Sequence, residues 1–218
     1  MATVRNQLPN IHTFASVIPP ARATVFLRAA GGNPERALAL HDWNEAVGAA
    51  FYPSLQKVEL GLRAKVGAAM EATWGSDWFA DPDFLRINDY AVHKEVATAI
   101  GRLKAREANV DADGLSDKAS FGLWVGLLRP IFNPPVWMTQ LRTSFPALPA
   151  TVGRHELASL ASHAANLRNR IDHHETLIGL DLSADHADVM TLLGWIDRPL
   201  AARARTTCTV RQLLRAKP

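Results

Sequence analysis

The sequence predicts an all-α fold, and three observations carry that prediction. Apolar residues recur at three- and four-residue steps in several long segments. Alternating, strand-like runs are scarce, and alanine and leucine dominate over β-branched clusters. No internal repeat, low-complexity tract or Pro/Gly/Ser linker divides the 218 residues. One helical domain over residues 1–218 is therefore expected, with the helix that carries residues 167–175 toward its end at its centre.

Taken in order, an apolar segment from Ile11 to Ile18 is broken by Pro19-Pro20. A helix from Ala21 to Ala30 stops at Gly31-Gly32. Asn33-Pro34-Glu35 reads as an N-cap, a first-turn proline and an acidic first turn. The clearest long helix follows: Trp43, Val47, Phe51, Leu55, Val58, Leu62, Val66 and Ala69 share one face, Pro53 should kink or divide it, and Trp74-Gly75 closes it. Trp78-Phe79 are aromatic plugs in a loop, and a helix runs from about Asp89 to Ala108. Asp111 to Gly114 reads as a turn, and a calcium loop is set aside there because the spaced acids lack the later glutamate. Ser116 is expected to cap a helix containing Phe121, Trp124 and Leu128 that ends at Pro130. A short helix runs through Leu141, and Thr151 or Gly153 opens the helix that carries Leu157 to Ile171. Ser183 is expected to cap a helix to about Ile196, and helices from Arg198-Pro199 and from Thr209 to Ala216 close the chain.

Composition sets the class. Hydrophobic residues make up 48% and charged residues 21%, enough for one sizeable core and too apolar for disorder. The single Cys208 excludes an internal disulfide and fits a reducing compartment. No apolar run reaches membrane-spanning length and no signal peptide is visible, so a cytoplasmic location and no membrane partner are expected. The net charge of +3 is unevenly placed. After Asp197 there is no acid, while Arg198, Arg203, Arg205, Arg211, Arg215 and Lys217 follow. Such a run is either a solvated helix face or a surface that tracks phosphates.

The most chemically loaded stretch is Leu167-Arg168-Asn169-Arg170-Ile171-Asp172-His173-His174-Glu175. Upstream, Leu157, Leu160, Ala164, Leu167 and Ile171 form one apolar helix face, and Arg168 falls near its edge. A charge there needs a partner or a function. On a straight helix His173 lies about 140° from Arg168, so one helix cannot aim both at one small target. Either the helix breaks near Ile171, or residues of two chains meet.

The spacing of Arg168 and His173 resembles the Arg-x4-6-His motif of the HEPN superfamily of helical, often RNA-cleaving domains. The fuller run Leu167 to Glu175 resembles the Abi-like branch, associated with abortive phage infection. Two other stretches agree with that branch, Ser120-Phe121-Gly122-Leu123-Trp124 and Leu55-Gln56-Lys57-Val58-Glu59-Leu60-Gly61-Leu62-Arg63. The run departs from the family pattern at Asp172, often a small residue, and at Thr176, often proline. The resemblance implies a HEPN-like helical bundle with added N- and C-terminal helices. It implies an endoribonuclease acting as a defence effector or toxin, with RNA as substrate, a homodimeric working form, and an antitoxin protein as a further partner.

Metal-independent RNA cleavage needs a base for the ribose 2′-hydroxyl, an acid for the leaving oxygen, and positive charge on the phosphorane. Histidine suits the proton transfers and arginine the charge. His173 is the acid/base candidate and Arg168 the phosphate clamp, with Asn169 and His174 in support. Arg170 sits on the polar face, positioned for substrate phosphate. Glu59, four residues before Arg63 in an apolar stripe, is either half of a helix-face ion pair or the group that orients Arg63 or Arg168. Arg211, Arg215 and Lys217 are the RNA-binding candidates of the basic run.

Plainer readings stand beside these. His173-His174-Glu175 also suits a helix C-terminus, whose dipole favours a protonated histidine. A metal site from His173, Glu175 and His186 or His155 is disfavoured by the adjacent histidines, so neither metal nor cofactor is expected. No Gly-x-Ser-x-Gly turn is present for a serine hydrolase. The functional alternative is a HEPN-type module that binds RNA or a protein and cuts nothing.

Overall fold

The computed structural model describes residues 18–218. Among them every regular element is helical, so the all-α prediction holds. The α-helices are α1 (Pro20–Ala29), α2 (Pro34–Trp74), α3 (Pro82–Arg86), α4 (Tyr90–Lys104), α5 (Ala112–Lys118), α6 (Phe121–Gly126), α7 (Met138–Ser144), α8 (Arg154–Asp172), α9 (Leu182–Ile196), α10 (Arg198–Thr207) and α11 (Val210–Arg215). Of the apolar segment expected before α1, all but Ile18 lies outside the described residues.

The axis of the fold is α2, not the motif helix. Its side chains Phe51, Leu55, Val58, Leu62 and Val66 are wholly buried. Each contributes about 1.5–3 kcal/mol on leaving water. Packed around α2 are α1, α6, α7, α8, α9 and α11. Length explains the role: 41 residues reach about 60 Å, so one helix offers a packing surface to all of these. Asn33 caps it by accepting from the Arg36 N–H at 3.0 Å, and Gly75 ends it at φ 83°. Pro53 does not divide it. Proline and the residue four before it, Ala49, are both exposed, so water can take the carbonyl that proline leaves unbonded. At Gly61 an added Cβ would lie 2.5 Å from Ile196 Cγ2, so glycine is what lets α9 approach.

Several caps differ from expectation. Asp111 is an N-cap, accepting from the Gly114 N–H at 2.7 Å, and opens α5 where a turn was expected. Aspartate serves turns and N-caps by the same side-chain bond, which is why the two were confused. Ser116 lies inside α5, and Ser120 is the cap of α6, accepting from Leu123. Asp181, not Ser183, caps α9. The helix expected to reach Ala108 ends at Lys104, followed by Glu107 at φ 54°. The stretch Ser120 to Trp124 serves the core, with Phe121, Leu123 and Trp124 buried. Among the described residues, no helix is long and apolar enough to cross a membrane.

Candidate functional site

Helix α8 delivers the motif. Gly153 is its N-cap residue, and the Glu156 carboxylate accepts from the Gly153 N–H at 2.9 Å. Arg154 anchors the same end by donating to the Leu128 carbonyl at 2.6 Å. Leu157, Ala161, Ala164 and Leu167 are buried against the core, which fixes the rotation of the helix.

That rotation leaves Arg168 half-buried at the edge of the interface with α2. Its guanidinium lies 3.5 Å from Glu59 Oε2 and 3.0 Å from Asp172 Oδ2, and donates to Asn169 Oδ1 at 3.2 Å. Glu59 is only 14% exposed and also accepts from Arg63 at 3.3 Å. One carboxylate thus contacts both of the arginines named for it. It pairs with Arg63 four residues on and reaches Arg168 from the neighbouring helix. The near-burial of Glu59 is tolerable because two cations share it.

The end of α8 is a Schellman motif. The His174 N–H donates to Ile171 O at 3.0 Å and the Glu175 N–H to Arg170 O at 2.8 Å, while His174 takes φ 53°. The residue in this left-handed position is usually glycine, and histidine is among the side chains that tolerate it. The contact that commonly closes such an end is apolar; here it is ionic, with Arg170 Nε 3.6 Å from Glu175 Oε2. Arg170 also donates to the Thr176 carbonyl at 3.2 Å. Its guanidinium is tied to the loop after the helix and remains partly exposed.

The break therefore falls at His174, three residues later than Ile171. His173 keeps helical register, its N–H bonded to Asn169 O at 2.9 Å. No hydrogen bond or ion pair joins Arg168 and His173 among the described residues. The 140° separation is not relieved within one chain. What the break re-aims is His174. It lines a cleft of about 540 Å³ between α1, α2 and the loop, with Arg22, Phe26, His41, Glu45 and Tyr52. Arg22 was missed by sequence reasoning. It donates to the His173 carbonyl at 2.7 Å from 151 positions away, and nothing local to residue 22 signals that contact.

The distant histidines do not join the motif. His155 stands near the far end of α8, about 27 Å away along the axis. His186 lies 3.5 Å from Cys208 and packs edge-on to Phe51. Burial holds its pKa below the ordinary 6.5, helped by Arg211 and Arg205. Three potential metal ligands, His41, Asp42 and Glu45, do lie together, on α2.

The basic run divides. Arg211, Arg215 and Lys217 line a groove of about 670 Å³ with Trp43 and the turn at Asp181. The Lys217 ammonium lies 5.0 Å from the Trp43 ring, and the Trp43 indole donates to Leu213 O at 2.8 Å. Trp43 and Glu59 are sixteen residues apart on α2, which puts them about 160° apart around its axis. Arg205 instead donates to Met190 O at 3.2 Å.

Compared with known protein families, with curated proteins and with solved structures, the chain finds no match in any of the three.

Proposed function

We propose that the chain is a metal-independent endoribonuclease of HEPN type, acting as a homodimer in phage defence or as a toxin held by an antitoxin protein. The observation that carries this reading is the Glu59–Arg168 pair, a guanidinium seated at a fixed place across α2 and α8, with exposed His173 just beyond the last turn of the same helix. The seat fixes the geometry of a phosphate clamp in advance. In the proposed reaction the ribose 2′-oxygen attacks phosphorus, and the bond from phosphorus to the 5′-oxygen breaks. His173 moves the protons, and a 2′,3′-cyclic phosphate is left. Requiring the 2′-hydroxyl selects RNA over DNA.

The test is single-stranded RNA incubated with chelator-treated protein. Cutting that ends in a cyclic phosphate, and that is lost in His173→Ala with little change in melting temperature, is the expected result. Strict dependence on an added metal, or full activity in His173→Ala, overturns the reading.

A second reading, a module that binds RNA or protein without turnover, is favoured by one observation. Asp172 stands 3.0 Å from Arg168, at a position often small in the family pattern, and neutralises the clamp. Binding of RNA with no cyclic phosphate from any strand tested would support it.

A further inference from the structure

The four side chains Glu59, Arg63, Arg168 and Asp172 form one chain of ion pairs, at 3.3, 3.5 and 3.0 Å. Their formal charges cancel, two of each sign. The two carboxylates are not equivalent. Glu59 is 14% exposed and lies between two guanidinium groups, so moving it would take the shared carboxylate from both cations at a half-buried surface. Asp172 is 31% exposed, and Arg168 is its ion-pair partner among the described residues. It is also the last residue of α8. A negative charge there is opposed by the helix dipole. Among the described residues Asp172 is held by its pair with Arg168, at an exposed helix end where the dipole opposes its charge.

A carboxylate and a phosphodiester present paired oxygens to guanidinium in the same way. With Glu59 fixed on one terminal nitrogen, the other, which also donates to Asn169 Oδ1 at 3.2 Å, is where an incoming anion would bind, and the Asp172 carboxylate fills the place of that anion. We infer that Asp172 is an internal competitor for the phosphate site of Arg168, so that a nucleic-acid phosphate binds there only by displacing the Asp172 carboxylate. This rests on the reading of Arg168 as a phosphate clamp, though not on turnover. Displacement leaves the cluster with one net positive charge facing the phosphate. The competitor sets a threshold: only a ligand that brings further contacts, such as a strand reaching several sites, outcompetes a carboxylate tethered in place.

The experiment uses a fluorescein-labelled oligodeoxythymidine strand, which lacks the 2′-hydroxyl and stays uncut, with binding read by anisotropy on the full chain. Four proteins are compared: wild type, Asp172→Asn, Arg168→Gln and the double variant. Asp172→Asn is expected to tighten binding about fivefold or more, the scale of losing a half-exposed ion pair and one close like-charge contact together. In the Arg168→Gln background the same change is expected to shift affinity less than about twofold, because the competitor then has nothing to compete for. Asp172→Ser repeats the measurement with a smaller side chain, and melting curves check that each variant folds. Equal tightening in both backgrounds would mean that any removed negative charge suffices, and overturns the inference. So does the absence of tightening, or of binding by any of the four. Coupling through Arg168 in a protein that never cuts RNA overturns the nuclease reading and leaves the inference standing. Cutting without that coupling does the reverse.

Discussion

Arg22 donates a 2.7 Å hydrogen bond to the main-chain carbonyl of His173, tying α1 to the last residue in helical register at the end of α8. The bond places a cation on the negative end of that helix dipole and satisfies a carbonyl the helix itself leaves open. It also fixes the position of the motif histidine through its backbone while leaving the imidazole untouched. Arg22→Ala is expected to cost about 0.5–1 kcal/mol of stability, the lower end of the range because the contact is exposed. If His173 acts in catalysis, activity should fall by more than that stability loss explains, since the residue would be looser by a fraction of an ångström. Thermal melts and RNA cleavage measured on the same preparation check both halves. An unchanged cleavage rate would assign Arg22 to stability alone.

His174 occupies the glycine position of a Schellman motif at φ 53°. A side chain in that conformation costs roughly 1–2 kcal/mol, less for residues that tolerate it, and glycine removes the strain while adding freedom to the unfolded chain. His174→Gly is therefore expected to leave stability unchanged or raise it by up to about 1 kcal/mol, roughly 2–4 °C in Tm for a chain of this size. A clear drop in Tm would mean that the imidazole makes contacts in the cleft beside Arg22 and His41 that outweigh the strain. Activity read on this variant separates His174 from His173 as proton carrier.

The long amphipathic helices were legible because burial imposes a period on sequence. Phe51, Leu55, Val58, Leu62 and Val66 repeat at the spacing that one buried face requires, and all five are buried. The same logic put Arg168 at an interface edge, while it left Glu59 open between a pair with Arg63 and a contact with Arg168; the carboxylate makes both contacts. Caps were less legible. Asp111 and Ser120 do their work through one side-chain bond each, and neighbouring residues of the same chemistry compete for the role. The helix ends at Asp172, close to the break weighed near Ile171, but the Schellman turn beyond it was not legible, because such a turn is read from glycine and here the position holds His174, closed by an Arg170–Glu175 ion pair instead of an apolar contact. Arg22 was invisible because its partner is a backbone carbonyl that carries no residue identity.

The basic C-terminal groove raises a separate question. Arg211, Arg215 and Lys217 gather on the side of α2 that carries Trp43, about 160° around from Glu59. A single short strand lying on Arg168 does not reach that side of the same chain. If the groove binds RNA, affinity for short strands should be insensitive to it, while strands long enough to pass around the molecule should gain. Replacing Arg211, Arg215 and Lys217 by glutamine is then expected to reduce the slope of log affinity against log salt by about 2 to 3 for long strands only. The same slope in both proteins would mean that the run is a solvated face. Lys217 additionally packs over the Trp43 ring, so its replacement should also change indole fluorescence, which reports whether the groove itself has been disturbed.

The last prediction concerns the shared site. His173 keeps helical register with Asn169, so it stays about 140° from Arg168 and the two do not converge within a chain. A two-fold axis beside the end of α8 would bring the arginine of one copy to the histidine of the other, through an isologous contact that forms two composite sites. Mixing Arg168→Ala chains with His173→Ala chains tests this by arithmetic. In such a heterodimer one composite site has lost both groups and the other keeps both. With random pairing about half of the dimers are mixed, and each carries one working site of two, so about a quarter of wild-type cleavage should return from two inactive parents. If each chain used its own Arg168 and His173, no dimer would carry an intact site and the mixture would stay inactive. Subunit exchange is verified by tagging the two chains differently, and light scattering gives the oligomeric state at the assay concentration. A monomer at micromolar concentration that cuts RNA, or an inactive mixture in which heterodimers have formed, rules out the composite site.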